Sequence, residues 1–128
     1  MFTPDIALND GTADNTFSLV SQRTMSSLRS DPSRDVTTPR LLTIAHEVGK
    51  DGKISSVVYL DSNAVSTCTS TCSTDQAKYD TIRAQFKLVR NPLSGRTDLA
   101  TEPEILRTML IDLINDAALW AKFLNQES

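Results

Sequence analysis

The stretch from residue 41 to residue 60, LLTIAHEVGKDGKISSVVYL, decides the fold because it predicts two strands joined by a tight connection. Leu41–Val48 and Ile54–Leu60 are both β-prone runs of suitable length. Asp51-Gly52 lies between them and is a hairpin signal, since both positions of such a turn favour φ > 0. We therefore predict an antiparallel hairpin here.

Alternation along this hairpin separates an apolar face from a more polar one. Leu42 and Ile44 lie on the first face, and Val58 and Leu60 join them from the returning run. The other face takes the odd-numbered positions, which are Thr43, Ala45, Glu47, Ser55, Val57, Tyr59 and Asp61. This pattern predicts an antiparallel sheet with one covered face and one open face.

A further long strand is predicted from Tyr79 to Arg90. Its apolar positions, Ile82, Ala84, Phe86 and Leu88, alternate with the polar and cationic residues Thr81, Arg83, Gln85 and Lys87. Residues 61–77 between the hairpin and this strand are rich in Ser and Thr, and they predict a loop.

The flanking segments complete an α+β order. Residues 1–22 predict an N-terminal hairpin around the turn at Asn9-Asp10-Gly11, and residues 21–39 predict a loop or a short edge strand. Residues 101–125 predict two helices. Thr101 and Glu104 fit a capping box for the first helix, and Asp116 is placed to cap the second. We expect one domain over residues 1–128, with the main sheet at 40–90.

Composition restricts the class of function. The formal net charge of −3 means that any nucleic-acid binding must come from a local cluster of cations. Only 39% of the residues are hydrophobic and 5% are aromatic, so we expect part of the apolar burial to occur between chains. The first residues lack a signal-peptide pattern, and no apolar run reaches the roughly 18 residues of a membrane span. We therefore expect synthesis in a cytosol and no membrane partner.

The sequence offers no catalytic site. His46 falls on the apolar face with Leu42 and Ile44, which favours a packed or hydrogen-bonded role over general-base chemistry. No Gly-rich phosphate loop or nucleophile elbow is present. Two cysteines and one histidine are too few for a typical zinc site. We expect neither an enzyme nor a bound metal or cofactor.

Cys68 and Cys72 allow three interpretations from spacing alone. Both thiols are free, or they form an intrachain bridge around a very small ring, which adds little stability. Alternatively, Cys68 of one copy bonds to Cys72 of the next around a symmetry axis. The reducing cytosol disfavours any disulfide before release.

The polar face of the long strand allows two interpretations. It is an ordinary solvated sheet face, or it binds RNA through cations for phosphates, a tyrosine for base stacking and hydroxyls for hydrogen bonds. Arg83, Gln85 and Lys87 would act together with Thr43, Ser55 and Tyr59 on the neighbouring strands. Glu47 and Asp61 lie on the same face and weaken the RNA interpretation.

Taken together, these segments resemble the coat proteins of single-stranded RNA bacteriophages, the leviviruses. The residues that carry the resemblance are Arg40–Ala45, Val57–Asp61, the Cys68-x-x-x-Cys72 loop, Tyr79–Val89 and the tail Glu104–Leu124. It rests on architecture and pattern over nearly the whole chain. It implies the RNA-phage coat protein fold and an interlocked homodimer, in which the helices of each subunit cover the partner's sheet.

The resemblance also implies a function. Such proteins assemble into an icosahedral T=3 capsid around the viral RNA, are found in the virion, and are made in the bacterial host cytoplasm. They also bind an RNA stem-loop as translational repressors. It implies that Cys68 and Cys72 form inter-subunit disulfides around the five-fold and quasi-six-fold axes.

By strand position, the resemblance assigns RNA binding to Thr43, Ala45, Ser55, Val57, Tyr59, Arg83, Gln85 and Lys87. Ala45 and Val57 depart from the polar residues that the family places there. Two alternatives stay open: a small dimeric RNA- or ligand-binding module that forms no shell, and a cytosolic enzyme subunit that depends on His46 or Asp112.

Overall fold

The computed structural model describes residues 5–66 and 78–126, which form six strands followed by two helices. The strands are β1 (Asp5–Asn9), β2 (Asp14–Arg23), β3 (Ser26–Ser30), β4 (Arg40–Val48), β5 (Ile54–Ser66) and β6 (Lys78–Arg90). The helices are α1 (Glu102–Asn115) and α2 (Ala117–Leu124). This order confirms the predicted α+β class.

The six strands form one sheet in sequence order, from β1 at one edge to β6 at the other. Each pair from β1–β2 to β4–β5 is antiparallel. The predicted central hairpin is confirmed, with Val48 opposite Ile54 at its end. Of the two turn positions expected to have positive φ, only Gly52 does, at 80°. The longer connection closes instead through a hydrogen bond from Gly49 N–H to Lys53 O at 2.8 Å.

The core lies on the predicted apolar face of the curled sheet. Phe17 of β2 and Leu42 of β4 are each 2% exposed, and they cluster with Ile44. Ile6, Val58 and Leu60 pack against this cluster. The N-terminal hairpin thereby contributes Phe17, a large buried side chain, to the core cluster.

The segment predicted as a loop or short edge strand contains β3, which lies inside the sheet between β2 and β4. The prediction is wrong because backbone pairing on both sides overrides the polar composition of Ser26–Ser30. Arg29 of β3 is buried on the apolar face, where its Nη1 donates to Ser27 Oγ. Sequence reasoning did not anticipate a buried arginine there.

The loop predicted for residues 61–77 is wrong over its first residues, because β5 continues to Ser66. Ser62 pairs with Arg40, and the backbone N–H of Asn63 donates to Pro39 O at 3.1 Å. Strand pairing therefore extends the sheet into a segment whose Ser and Asn content had favoured a loop. Cys68 and Cys72 lie outside the described residues, so their predicted bridges stay predictions.

His46 lies on the apolar face, as predicted, but it is exposed rather than packed. It sits near the end of β4, beyond the buried residues, where Val48 is also exposed. Its Nδ1 is 2.9 Å from Ser56 Oγ, directly across the hairpin. The imidazole is therefore hydrogen-bonded at the surface.

The chain divides into two compact units, residues 1–89 with the sheet and residues 90–128 with the helices. Asp116 caps α2 as predicted, since its side chain accepts from the backbone N–H groups of Ala118 and Leu119. The predicted capping box at Thr101 is wrong, because its side chain makes no cap hydrogen bond and its backbone is already helical. Neither helix has the length and hydropathy of a membrane-spanning segment.

Candidate nucleic-acid interface

The odd-numbered side chains of β4, of β5 up to Asn63 and of β6 from Thr81 onward share one face of three adjacent strands, which we call the open face. This face is opposite to the Phe17 cluster. It contains all eight residues predicted to bind RNA: Thr43, Ala45, Ser55, Val57, Tyr59, Arg83, Gln85 and Lys87. The structure therefore brings them onto one surface; their binding of RNA stays a prediction.

The central pairs of the open face combine polar and apolar contacts. Thr43 lies directly opposite Tyr59, and Ala45 lies opposite Val57. All four side chains are half-buried. Opposite positions of an antiparallel pair place Cβ atoms about 4.5–5.5 Å apart, so Thr43 and Tyr59 are neighbouring side chains. The Ala45–Val57 pair offers shape and apolar surface rather than hydrogen bonds.

Arg83 of β6 is held by the carboxylate of Asp61 on β5. Its Nε donates to Asp61 Oδ1 at 2.6 Å and its Nη2 donates to Oδ2 at 2.9 Å. The Asp61 side chain is only 10% exposed, whereas that of Arg83 is 53% exposed. The hydrogen bonds to Asp61 raise the pKa of the guanidinium above its ordinary value, so Arg83 stays charged. A bidentate pair of this kind fixes the plane and direction of the guanidinium.

The same guanidinium covers part of Tyr59. The central carbon of the Arg83 guanidinium lies 4.6 Å from the centroid of the tyrosine ring. This distance is within the range of a cation–π contact. One face of the tyrosine ring, predicted to stack on a base, is therefore already occupied by an arginine.

Lys87 is the cation of the open face that has no carboxylate within salt-bridge distance among residues 5–66 and 78–126. It is exposed two positions beyond Gln85 on β6. Charged residues on this face also include Glu47, which lies opposite Ser55. Arg83 and Lys87 are thus balanced by Asp61 and Glu47, so the open face carries no formal excess of positive charge.

Sequence reasoning recognised Asp61 as an acidic residue of this face but missed its role as the partner of Arg83. It also missed the contact of Thr81 with Asn63, in which the threonine Oγ1 donates to Asn63 Oδ1 at 2.5 Å. Both contacts join β5 to β6. The register between these two strands would have identified them, since each joins side chains on the same face of neighbouring strands. Across the described parts of the chain, no three side chains converge in a way that would hold a metal ion.

The chain is similar to known proteins in its fold rather than in its sequence. Neither a protein-family model nor a curated protein sequence matches the chain significantly. Solved structures do match over almost the full length. One is the virus-like particle of Beihai levi-like virus 21, with a TM-score of 0.74 at 15% sequence identity, covering 100% of this chain and 98% of that one. The chain has the RNA-phage coat protein fold.

Two further coat proteins show how far this fold match extends. The bacteriophage EMS014 coat protein has a TM-score of 0.69 at 18% identity, covering 99% of this chain and 98% of that one. The capsid protein of bacteriophage GA has a TM-score of 0.52 at 14% identity, covering 97% and 95%. The coat protein fold is therefore retained although few residues are shared.

Proposed function

We propose that this chain is a structural capsid protein, not an enzyme, that forms a homodimer, assembles into an icosahedral shell and packages single-stranded RNA. Its place is the virion, after synthesis in the cytoplasm of a bacterial host. The observation that carries the proposal is the match to coat proteins of virus-like particles over the whole chain.

The helices support an assembly role because their apolar side chains are uncovered. No described residue of α1 or α2 is buried. Exposed large apolar residues include Leu106, Met109, Leu110, Leu113, Trp120 and Phe123. Contiguous exposed apolar surface of this kind is unusual for a monomer and marks a protein interface.

The sheet offers a complementary uncovered surface at β6. Ile82 is 74% exposed and Phe86 is 43% exposed, although both lie on the apolar face. We propose that the helices of one subunit cover this surface on the partner, while β6 of the two subunits meet at their edges. An exposed edge strand is a ready template for pairing with a second chain. This arrangement would remove both apolar surfaces from water. It would also explain why only 39% of the residues are hydrophobic, since part of the apolar burial would occur between chains.

The open face is the proposed contact with RNA, both for packaging and for a stem-loop whose binding would repress translation. Thr43, Tyr59, Gln85 and Lys87 provide hydrogen-bond donors, hydrogen-bond acceptors and one cation without a salt bridge to a described carboxylate. Without a net positive charge on this face, affinity depends on contacts to bases as well as to phosphates. Cys68 and Cys72 are proposed to bond neighbouring subunits once the shell leaves the reducing cytosol.

Expression of the full-length chain in bacteria followed by electron microscopy tests the proposal. We expect spherical particles, of T=3 size, that protect RNA from nuclease. Small soluble species at every salt concentration would overturn the capsid role. A dimer that binds RNA without forming particles would instead support the shell-free binding module.

A pair of helix variants tests whether the exposed apolar side chains of α1 form the assembly surface. Leu113→Asp places a charge on the exposed apolar face of α1 and is expected to abolish particles. Asp112→Asn changes the neighbouring exposed residue and is expected to leave assembly intact. Circular dichroism of both variants distinguishes lost assembly from lost folding.

A further inference from the structure

Asp61 and Tyr59 together hold the Arg83 guanidinium in one orientation above the open face. The carboxylate uses both oxygens on the Nε and Nη2 edge of the arginine, at 2.6 and 2.9 Å. Tyr59 lies beneath the guanidinium, with its ring centroid 4.6 Å from the central carbon. The three side chains belong to two neighbouring strands, so the sheet itself sets their spacing.

This arrangement leaves a defined part of Arg83 available to a ligand. Among the described residues, the Nη1 group of Arg83 has no hydrogen-bond partner, and about half of the side chain is exposed. The central carbon of the guanidinium lies over the Tyr59 ring, so the surface available to a ligand is the part of the guanidinium turned away from that ring. A guanidinium plane is a surface on which RNA-binding proteins stack unpaired bases.

Charge argues against a purely phosphate-binding role for this arginine. Its positive charge is compensated at short range by the nearly buried Asp61 carboxylate. A residue whose task is attraction of phosphates gains nothing from such a partner, because counterion release depends on uncompensated charge. A residue whose task is to present a planar surface does gain, because the bidentate contact fixes its plane.

We propose that an unpaired base of single-stranded RNA stacks on the exposed side of the Arg83 guanidinium, above Tyr59, with Asp61 as the positioning residue that fixes the plane. The Nη1 group donates to an acceptor on the same nucleotide. This inference rests on the proposed RNA-packaging function and specifies its mode of recognition. It moves base stacking from Tyr59 itself, as the sequence predicted, to the arginine that covers it.

The test uses RNA stem-loops in which each loop position in turn carries 2-aminopurine, whose fluorescence falls on stacking. The full-length protein is titrated below its assembly concentration, and a fully paired duplex of matched length serves as the reference RNA. For the wild type we expect quenching at one loop position and weaker binding of the duplex. Removal of one base-stacking contact is expected to weaken binding about tenfold.

Three substitutions separate positioning from charge. Asp61→Asn keeps the shape but loosens the arginine, and Arg83→Lys keeps the charge but removes the plane. Both are expected to bind the stem-loop about tenfold more weakly and to lose the quenching. Lys87→Ala is the control, expected to weaken stem-loop and duplex alike while the quenching at the loop position persists.

Specific outcomes overturn the inference without touching the proposed function. Undiminished quenching in Arg83→Lys, or tighter stem-loop binding with intact quenching in Asp61→Asn, would mean that Arg83 acts as a simple cation restrained by Asp61. RNA binding by the wild type without quenching at any loop position would mean that no base stacks on Arg83. A wild type that binds no RNA and forms RNA-free particles would overturn the packaging function together with the inference.

Discussion

The guanidinium of Arg83 and the carboxylate of Asp61 form a bidentate pair across β5 and β6, with N–O distances of 2.6 and 2.9 Å. The two residues were expected to act separately, one attracting RNA and one opposing it. Their pairing compensates the positive charge of the arginine. Lys87 is then the cation of the open face that forms no salt bridge with a described carboxylate. We therefore expect the electrostatic part of the proposed RNA binding to fall on Lys87.

Lys87→Ala is expected to lower RNA affinity at low salt and to reduce the slope of log K against log salt by about one unit, the contribution of one phosphate contact. Binding isotherms at several salt concentrations measure the slope. Lys53→Ala is the control, because its Nζ is 3.4 Å from Asp51 in the β4–β5 connection. An unchanged slope in Lys87→Ala would favour an ordinary solvated sheet face.

Phe17→Ala is expected to lower the free energy of unfolding by about 3–5 kcal/mol, because it empties the centre of the core cluster. Phe17→Leu keeps most of the apolar volume and is expected to cost less. Guanidinium-induced unfolding measures both. Val36→Ala serves as the control, since Val36 is 91% exposed and its truncation should change stability by less than about 0.5 kcal/mol. A small effect at Phe17 would contradict the role assigned to the N-terminal hairpin.

Asp116→Ala is expected to cost about 1 kcal/mol, because two backbone N–H groups at the start of α2 lose their acceptor. Thr101→Ala should cost much less, since the Thr101 side chain caps nothing. Pro103 in the first turn of α1 explains this difference in part, because proline has no backbone N–H that could donate a hydrogen bond to the threonine hydroxyl. Thermal unfolding followed at 222 nm compares the two variants. Equal losses would restore the capping box predicted from the sequence.

Asp10, in the turn of the N-terminal hairpin, is expected to make the stability of the fold depend on pH. Hydrogen bonds from the backbone N–H of Ala13, the amide of Asn15, and the backbone and hydroxyl of Thr12 hold the pKa of Asp10 well below its ordinary value of 3.8. A lowered pKa means that the carboxylate stabilises the fold above pH 3.8 and that this contribution fades as the pH falls further.

Asp10→Asn is therefore expected to lower the melting temperature at pH 7, with a difference from the wild type that narrows below about pH 4. Differential scanning calorimetry at pH 7 and pH 3 measures both differences. Asp112→Asn, at an exposed site on α1, provides the matched loss of one carboxylate. A difference that widens at low pH would contradict the assigned hydrogen bonds.

The cysteine hypothesis has a direct test on purified particles. Non-reducing electrophoresis is expected to show ladders up to pentamers and hexamers that collapse to monomer with reductant. Cys68→Ser should abolish the ladder while particles still form, because the shell is proposed to be held by dimer contacts rather than by the disulfides. A monomer band under both conditions would reject the interchain bridges and return the thiols to the free or intrachain alternatives.

Periodicity in the sequence was sufficient to predict the central hairpin, the long strand β6 and the two helices. Leu42 and Ile44 were assigned to the buried face from alternation alone, and both are buried. Periodicity was insufficient to predict β3, because Ser26–Ser30 has no strong β-propensity and forms a strand by pairing with β2 and β4. It likewise placed the end of β5 too early, where pairing with Arg40 and Pro39 extends the strand.

The sequence by itself determined which side chains share the open face, because a strand turns successive residues to opposite sides. Only the tertiary structure decided how those side chains meet, because contacts across strands depend on register. Register places Thr43 opposite Tyr59 and brings Arg83 onto Asp61, two residues that are 22 positions apart in the chain. Local pattern cannot specify such a pair, since its geometry arises only when the sheet has formed.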